Sequence, residues 1–405
     1  MRVLHVIPSL ASRTGGPATS VVESSLALRR CGVDVTIFAT DMAEAASARR
    51  HVRATLADMP PGARDLDVRL FPARWPYRLA FSPAMFRALR AEVRRYDVVH
   101  IHSLFLFPQF AAYRAASGAS VPYVVSPRGA LDPYLRQRGR SVKVVAERLW
   151  QRAMLTHAAA LHLTSGEEAR LTSDIAPRVA RHVVPNGIRC ADYSELPSGQ
   201  EFRRRHLGGS GEPVVMYLGR LSHKKGLDIL IRAFALVRRD VPACRLAIVG
   251  PDDEGLTAEL VALARREGVA ERIVFTGMLS GVEKLDALAA AGVWALPSHT
   301  ENFGNAVVEA LAAGRATVIS PAVNIAPEIA ASGAGIVAPL SAEAFGAEIA
   351  ALLRDDARRE ALVVRAREFA RRYDWSIVGP RLAEMYAQVA GRALPDAGLE
   401  VRTCA

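Results

Sequence analysis

The chain is poor in cysteine, in aromatic residues and in long apolar runs, and each shortage excludes a class of protein. The four cysteines, Cys31, Cys190, Cys244 and Cys404, lie far apart and form no C-x-x-C pair, so neither a disulfide framework nor a zinc site is indicated. No apolar run reaches the roughly 18 residues of a membrane-spanning helix. The apolar start at residues 1–8 predicts a first strand and not a signal peptide, which favours a cytoplasmic protein.

The chain has enough length and apolar content for two ordinary domains. It has 405 residues, of which 50% are hydrophobic, and a net charge of +11. A positive charge of this size favours an acidic partner, which is a nucleic acid, an anionic lipid or a phosphorylated small molecule. The arginines are scattered and no nucleic-acid module signature is present, so nucleic acid is not expected.

Strand-like and helix-like segments alternate along nearly the whole sequence, which predicts an α/β protein with parallel sheets. We expect two doubly wound, Rossmann-like domains at residues 1–195 and 196–375, with a polar linker and a short basic helix at 194–211. A C-terminal segment, 376–405, carries a last helix from about Ser376 to Ala390 that is predicted to cross back to the first domain. The predicted strands are 3–7, 33–39, 97–102, 123–126, 160–164, 183–187, 214–221, 245–250, 273–277, 293–297 and 317–320.

Two glutamates eight residues apart, Glu301 and Glu309, form the most informative motif. A buried strand precedes Glu301, and residues 304–313 predict a helix that ends at Gly314. Glu301 is therefore expected beside the positive end of this helix, where backbone N–H groups of Phe303, Gly304 and Asn305 can bind an anion. A solvated surface helix with an acidic cap is the alternative for such spacing.

The segment from Gly219 to Gly226 follows another predicted strand and opens another helix. Arg220 and Lys225 flank its turn, and two cations beside a helix N-terminus suit a diphosphate. The segment is not a Walker loop, because G-x-x-x-x-G-K-[S/T] is absent. A loop with exposed basic residues is the alternative.

The first half contributes residues at the ends of predicted strands. Gly15 and Gly16 follow the first strand without the G-x-G-x-x-G spacing of a nicotinamide site, but permit a close approach to a ligand. His102 and Arg128 end successive strands, where a cleft would open, although each is also compatible with a structural role. Asn186 lies in a turn by composition.

A basic strip with interleaved apolar residues occupies two predicted helices, at 83–95 and 134–152. Its cations are Arg87, Arg90, Arg94, Arg95, Arg136, Arg138, Arg140, Lys143, Arg148 and Arg152, and its apolar members include Leu135, Val144, Val145, Leu149 and Trp150. Two solvated helix faces are one explanation. Docking on an anionic membrane, at the inner face of the plasma membrane, is the other, and residues 104–108 would then join that surface or line an acceptor groove.

Taken together, these motifs resemble the retaining GT-B glycosyltransferases of family 4 (glycosyltransferase group 1) over nearly the whole chain. The segment 126–133 resembles the subset that builds bacterial exopolysaccharide or lipopolysaccharide. The resemblance is carried by the order and spacing of Gly15-Gly16-Pro17, Asp97–His102, Val184–Ile188, Gly219-Arg220-Leu221, Lys225-Gly226, Val249-Gly250, Phe275–Gly277, Glu301-x7-Glu309 and Tyr373–Trp375.

The resemblance implies a nucleotide-sugar donor held mainly by the second domain, and a central cleft whose first-domain face receives the acceptor. It implies that Arg220 and Lys225 neutralise the diphosphate, that Glu301 binds the transferred sugar and that Glu309 binds the ribose. The implied catalytic set is Glu301, Arg220, Lys225, His102 and Arg128. The implied donor-binding set is Gly15, Gly16, Asn186, Gly219, Gly250, Gly277, Phe303, Gly304, Asn305 and Glu309.

The expected reaction is hexosyl transfer with retention, from a UDP- or GDP-sugar to a lipid-linked or growing glycan, without cofactor or divalent metal. No D-x-D motif ends a suitable strand, and Asp252-Asp253 is interpreted as a loop. Arg128 stands where many relatives carry a histidine, so the role of its side chain is open. A nucleotide-sugar 2-epimerase and a non-catalytic sugar-nucleotide-binding protein are the alternatives.

Overall fold

A computed structural model describes residues 1–43, 52–136 and 146–393 of the chain. The chain forms two compact units, Met1–Gly187 with Trp375–Ala405, and Ile188–Asp374. The second unit begins at Ile188 and not near residue 196, because Ile188 and Tyr193 are buried in the core of that unit.

The first unit is built on a seven-stranded parallel sheet with the order β3-β2-β1-β4-β5-β6-β7. Its strands are β1 (Arg2–Ser9), β2 (Asp34–Thr40), β3 (Asp67–Phe71), β4 (Val98–His102), β5 (Tyr123–Ser126), β6 (Ala160–Leu163) and β7 (Ala180–Val183). Its helices are α1 (Gly16–Arg30), α2 (Pro83–Glu92), α3 (Phe107–Ala119), α4 (Pro133–Arg136), α5 (Arg152–Thr156) and α6 (Gly166–Leu171).

The second unit contains a six-stranded parallel sheet with the order β10-β9-β8-β11-β12-β13. Its strands are β8 (Val214–Leu218), β9 (Arg245–Val249), β10 (Ile273–Gly277), β11 (Val293–Leu296), β12 (Ala316–Ile319) and β13 (Ile336–Val337). Its helices are α7 (Gln200–His206), α8 (Leu227–Asp240), α9 (Thr257–Arg266), α10 (Gly281–Ala290), α11 (Asn305–Ala312), α12 (Ala326–Ser332), α13 (Ala342–Arg354) and α14 (Asp356–Arg371).

The last helix, α15 (Trp375–Ala390), belongs to the first unit. Val378 and Leu382 on α15 share a core cluster with Val21 and Leu28 of α1. Gly379 permits this close packing, because a Cβ there would lie 3.1 Å from the Cβ of Ala27. Among the helices that the structure describes, none has the length and apolar character required to cross a bilayer.

The strand order of each sheet reverses direction at one point. The chain enters the first sheet at β1, builds β2 and β3 to one side, and then starts the other side at β4; in the second unit β8 and β11 are the equivalent pair. Ligands of doubly wound sheets bind outside the carboxyl ends of the strands at this switch point. The candidate ligand sites therefore lie at the carboxyl ends of β1 and β4 and at the carboxyl ends of β8 and β11.

The structure confirms the predicted fold class and most of the strands. The predicted strand 214–221 ends earlier, at Leu218, and three other differences are larger. The predicted strand 183–187 is a loop preceded by β7 (Ala180–Val183), because Pro185 and Gly187 interrupt the ladder. Strand β3 was not predicted, because the charged residues Asp67 and Arg69 interrupt its apolar pattern at the sheet edge. Strand β13 has two residues, too few to give an alternating pattern.

Candidate active site

The turn after β8 and the loop after β11 meet at an ion pair between Lys225 and Glu301. Gly226, with φ +64°, permits the turn, and a Cβ at this position would lie 2.0 Å from the carbonyl oxygen of Pro297. The carbonyl of Lys224 accepts hydrogen bonds from the Ser298 hydroxyl and the His299 amide at 2.9 and 2.7 Å. Backbone contacts thus fix the two loops to each other and hold Lys225 and Glu301 together.

Glu301 is a carboxylate in a strongly positive setting. Burial acts to raise its pKa, but the net shift is downward, because the cations Lys225, Lys224 and Arg220 lie near it. Its backbone is also fixed, since its N–H donates to Ala322 and its carbonyl accepts from Asn324. The site therefore offers an ionised hydrogen-bond acceptor within a cluster of three cations.

Glu309 is held by a lysine that the sequence analysis did not single out. The ammonium of Lys284 on α10 lies 3.1 Å from the Glu309 carboxylate and 3.2 Å from the Tyr193 hydroxyl. Burial acts to lower the pKa of Lys284, but the nearby Glu309 raises it overall. Glu309 is thereby kept in one orientation on α11.

The ends of β8, β9 and β10 form a ladder of glycines. The Gly219 amide donates to Val249, and the Gly250 amide donates to Gly277, both at 2.9 Å. A Cβ at Gly250 would lie 1.8 Å from the carbonyl oxygen of Gly219. Only glycine therefore fits at Gly250, and the loops that follow these strands approach one another closely.

Acidic side chains of the loop after β9 also contact the turn after β8. Arg220 lies 3.7 Å from Asp253, and Glu254 accepts from the Ser222 hydroxyl at 2.6 Å. Asp252 instead caps the start of α9, because its two carboxylate oxygens accept hydrogen bonds from the backbone amides of Leu256 and Thr257. The interpretation of this segment as a loop agrees with these contacts.

The N-terminus of α11 follows Glu301 directly. Gly304 is the residue before the first helical residue and has φ +83°. The side chain of Phe303 is 2% exposed and packs edge-on against Tyr373, with ring centroids 5.4 Å apart. The helix α11 begins at Asn305, so its positive end lies beside the Lys225–Glu301 pair.

In the first unit, three predicted residues meet at the carboxyl edge of the sheet. Arg128 donates one hydrogen bond to the Asn186 side chain at 2.5 Å and lies 3.2 Å from Nδ1 of His102. Burial lowers the pKa of Arg128 to about 10, although the negative charge of Glu168 acts to raise it. Both ring nitrogens of His102 have partners, since Nε2 lies 3.1 Å from Nδ1 of His5.

Backbone strain concentrates at this edge. Ser103 and Phe105, after β4, have φ of +68° and +71°, and Arg128, after β5, has φ of +53°. Left-handed backbone in non-glycine residues is costly and recurs at ligand sites. The two loops that follow β4 and β5 are thus held in a conformation that local preference alone would not select.

Sequence reasoning missed His5, His100, His162 and Tyr386, which are linked to one another and, through His5, to His102 in the first unit. The signal for the histidines was present, because each interrupts an apolar strand and a buried imidazole needs hydrogen-bond partners. Nothing in the sequence marked Tyr386, which comes from α15. Lys284 likewise gave no signal on α10.

The remaining predicted features are partly described. Gly15, with φ +94°, precedes α1, which begins at Gly16. Arg87, Arg90, Arg94, Arg95, Arg148 and Arg152 of the basic strip are exposed, and Leu149 is 71% exposed. The side chains of Leu135, Arg136, Arg138, Arg140, Lys143, Val144 and Val145 lie outside the described residues, as does Cys404.

Comparison with known proteins decides the family. The family model described as Glycosyl transferase 4-like domain matches residues 15–187, and the one described as Glycosyl transferases group 1 matches residues 199–369. D-inositol 3-phosphate glycosyltransferase of Xylanimonas cellulosilytica is 30% identical and covers 93% of this chain and 93% of its own length. The chain belongs to the group 1 glycosyltransferases.

Further relatives and solved structures agree with this assignment. Phosphatidyl-myo-inositol mannosyltransferase of Mycolicibacterium smegmatis is 27% identical over 97% of this chain and 95% of its own length. The structure of Anabaena HepE in complex with UDP and glucose matches 96% of this glycosyltransferase and 100% of its own chain, with a TM-score of 0.77 and 20% identity. WaaG, a glycosyltransferase involved in lipopolysaccharide biosynthesis, matches with a TM-score of 0.69 over 96% of this chain and 100% of its own, at 17% identity. The expected GT-B fold is confirmed.

Proposed function

We propose that this glycosyltransferase takes its sugar from a nucleoside-diphosphate sugar bound at the switch point of the second unit. The observation that carries the proposal is the Glu301 carboxylate, whose side chain is only 14% exposed and which is kept ionised by Lys225, Lys224 and Arg220. A site positive enough to lower the pKa of a largely buried carboxylate is positive enough to attract a diphosphate. UDP and glucose in the HepE structure, which shares this fold, support the same class of donor.

The proposed roles follow from charge and placement. Lys225, Arg220 and the N-terminus of α11 stabilise the negative charge that develops on the departing diphosphate. Glu301 accepts hydrogen bonds from hydroxyls of the transferred sugar, and Glu309, oriented by Lys284, accepts them from the ribose. Backbone groups at Gly219, Gly250 and Gly277 allow the nucleotide to approach closely, because they carry no side chain.

The proposed reaction breaks the bond between the anomeric carbon and the diphosphate oxygen and forms a bond to an acceptor hydroxyl oxygen. The acceptor proton passes to the leaving diphosphate, and the anomeric configuration is retained. Fixed cations supply the electrostatic stabilisation, so we propose that no divalent metal is needed. Analysis of the product anomer by NMR tests the stereochemistry, and an inverted linkage would refute retention.

The proposed acceptor is a hydroxyl of a lipid-linked or growing glycan. Both of the relatives described above carry inositol in their names, so inositol phosphate and phosphatidylinositol belong in the acceptor panel beside lipid-linked sugars. The exposed arginines of the basic strip support docking of the first unit on an anionic membrane. Vesicle flotation with and without anionic lipid tests that docking.

The donor assignment is tested by thermal shift with UDP, GDP, ADP, dTDP and their sugar conjugates in the presence of EDTA. We expect one diphosphate to raise the melting temperature of the wild type and of Arg239→Ala, an exposed control. Lys225→Ala and Glu301→Gln should lose most of this shift, or lose turnover by about 100-fold. Equal shifts and equal turnover in all four proteins would refute the assignment.

A further inference from the structure

Four histidines of the first unit lie buried beneath α15, next to one another. His5 is on β1, His100 and His102 are on β4, and His162 is on β6; none is more than 3% exposed. The rings of His100 and His102 lie 4.0 Å apart, centroid to centroid, and those of His100 and His162 lie 5.1 Å apart. The hydroxyl of Tyr386, from α15, lies among them at 2.6 Å from His100 and 3.2 Å from His5.

These side chains form a single line of hydrogen bonds with a group of fixed character at each end. At one end, Nε2 of His162 lies 2.8 Å from the carbonyl oxygen of Val184, which can only accept. At the other end, the guanidinium of Arg128 lies 3.2 Å from Nδ1 of His102, and a guanidinium can only donate. Each group between them has one donor and one acceptor when the imidazoles are neutral.

The acceptor at one end and the donor at the other impose the same donor-to-acceptor direction on every hydrogen bond of the line. From the Val184 end, His162 must carry its proton on Nε2, so its Nδ1 accepts from Nε2 of His100 at 3.4 Å. The Nδ1 atom of His100 then accepts from the Tyr386 hydroxyl, whose oxygen accepts from Nε2 of His5.

From the Arg128 end, Nδ1 of His102 accepts, so Nε2 of His102 donates to Nδ1 of His5 at 3.1 Å. The two derivations meet at His5 without conflict. All four histidines are therefore neutral and protonated on Nε2, and every ring nitrogen has a partner.

Neither protonation nor a metal ion fits this arrangement. A second proton on any imidazole would set two donors against each other, and burial already lowers the pKa of His5 and of His162 to about 3. His5, His100 and His102 are close enough together to be considered as metal ligands. A cation there would have to displace the existing hydrogen bonds and lie next to Arg128. Among the described residues, the charged groups that face the line are Arg128 and Glu168, and His182 is a further titratable group near His162.

We propose that this one-way line of hydrogen bonds holds the Arg128 guanidinium in a single orientation at the carboxyl edge of the first sheet. The line presents His102 to Arg128 as an acceptor and nothing else, and Asn186 accepts from the second guanidinium nitrogen at 2.5 Å. The positioning residues are His5, His100, His102, His162 and Tyr386.

Tyr386 connects this line of hydrogen bonds to the C-terminal helix, α15. Its hydroxyl is the only described group that joins the Arg128 half of the line, ending at His5, to the Val184 half, beginning at His100. Docking of α15 on the first unit therefore completes the line. That Arg128 serves glycosyl transfer rests on the proposed function, whereas the line itself does not.

The line is tested directly by ¹⁵N NMR of the full chain labelled at histidine, with single His→Gln variants for assignment. We expect the four resonances to report neutral imidazoles protonated on Nε2 throughout about pH 5 to pH 8. In Tyr386→Phe the resonances of His5 and His100 should move. Tyr123→Phe is the matched control, because it removes a buried hydroxyl that donates to Met154 elsewhere in the unit. A resonance that titrates in this range, a proton on Nδ1, or no response to Tyr386→Phe would overturn the proposal.

The role in positioning is tested by kinetics with the donor that the thermal-shift screen selects and the acceptor that the acceptor panel selects. His100→Gln keeps a donor and an acceptor, whereas His100→Leu keeps neither. We expect kcat to fall about tenfold in His100→Leu and Tyr386→Phe, with the donor KM little changed and with rescue in His100→Gln. Equal losses in His100→Leu and His100→Gln would show that only packing matters. If the NMR results hold and no turnover is found with any donor, the proposed function fails and the hydrogen-bonded line stands.

Discussion

The buried histidines predict a steep loss of stability when the pH falls below 6.5, and one substitution isolates the contribution of a single imidazole. The pKa of His162 is lowered to about 3 by burial and by the charge of Arg128, from an ordinary value of 6.5. The folded chain therefore stays unprotonated at His162 between these values, while the unfolded chain binds a proton there. The contribution of His162 to the unfolding free energy is fully present above pH 6.5 and is lost progressively as the pH falls toward 3.

The magnitude follows from proton linkage. Between about pH 7.5 and pH 5, one histidine with these two pKa values costs about 2 kcal/mol of unfolding free energy. His5, whose pKa is also lowered to about 3, contributes a similar amount, and the pKa values of His100 and His102 are shifted in the same direction. A loss of this size is a large part of the about 5–15 kcal/mol that stabilises a typical protein.

The assay is urea unfolding at a series of pH values, comparing the wild type with His162→Gln. Glutamine can keep the hydrogen bonds to Val184 and His100 but cannot bind the proton. The unfolding free energy of the variant should therefore fall by about 2 kcal/mol less than that of the wild type over this range, whatever its absolute stability. Carboxylates take up protons only at lower pH and so contribute little over this range. Glu212 is an example, because hydrogen bonds from Arg245, Ser210 and Arg272 lower its pKa from 4.5 to about 2.

His157→Gln is the matched control, because His157 is an exposed residue of the same unit. Its pH dependence is expected to follow that of the wild type. Parallel pH profiles for the wild type and His162→Gln would refute the reasoning, because His162 would then bind its proton equally in the folded and unfolded chains.

Two further predictions concern the second unit. Gly226→Ala should cost at least about 3 kcal/mol of unfolding free energy, because its Cβ would meet the Pro297 carbonyl oxygen at 2.0 Å. Gly208→Ala, at φ +69° with open space around it, should cost only the about 1–2 kcal/mol of left-handed strain, and equal costs in urea unfolding would contradict this account. Lys284→Met should raise the donor KM about tenfold with kcat nearly unchanged, since Glu309 loses its charged partner. Adding Glu309→Gln should then have little further effect, and fully additive losses in steady-state kinetics would show that the two residues act independently.

The features that could be predicted are those that depend on the sequence pattern of a single segment. Strand 123–126 was predicted at the bounds that the structure gives, because it is a buried, short apolar run bounded by turn residues. Strand 273–277 was also predicted at its bounds although it lies at the sheet edge and is only partly buried, because it too is a short, mainly apolar run that ends at a glycine. The resemblance assigned Lys225 and Glu301 to one donor site, and each follows a strand at the carboxyl edge of one sheet, where a doubly wound domain binds its ligand. Their contact then required only that β8 and β11 be neighbours.

The unpredicted part depends on side chains that approach from distant segments. Lys284 reaches Glu309 from the exposed end of a different helix, and helical spacing alone does not say which neighbour a lysine will contact. The edge strand β3 escaped detection for a different reason, because the charged residues Asp67 and Arg69 leave it no continuous apolar run.

The hydrogen-bonded line in the first unit shows where sequence reasoning stops and what it can still require. His5 and Tyr386, which are in contact, are separated by 381 positions in the chain, and no periodicity connects them. The histidines nevertheless interrupt strands that are otherwise mainly apolar, and an unpaired polar group in such a place costs about 1–3 kcal/mol. A sequence that places four imidazoles there must supply partners for eight ring nitrogens. The sequences of β1, β4 and β6 show that such partners are required. The tyrosine that joins the two halves of the hydrogen-bonded line is identified only from the packing of α15 on the first sheet.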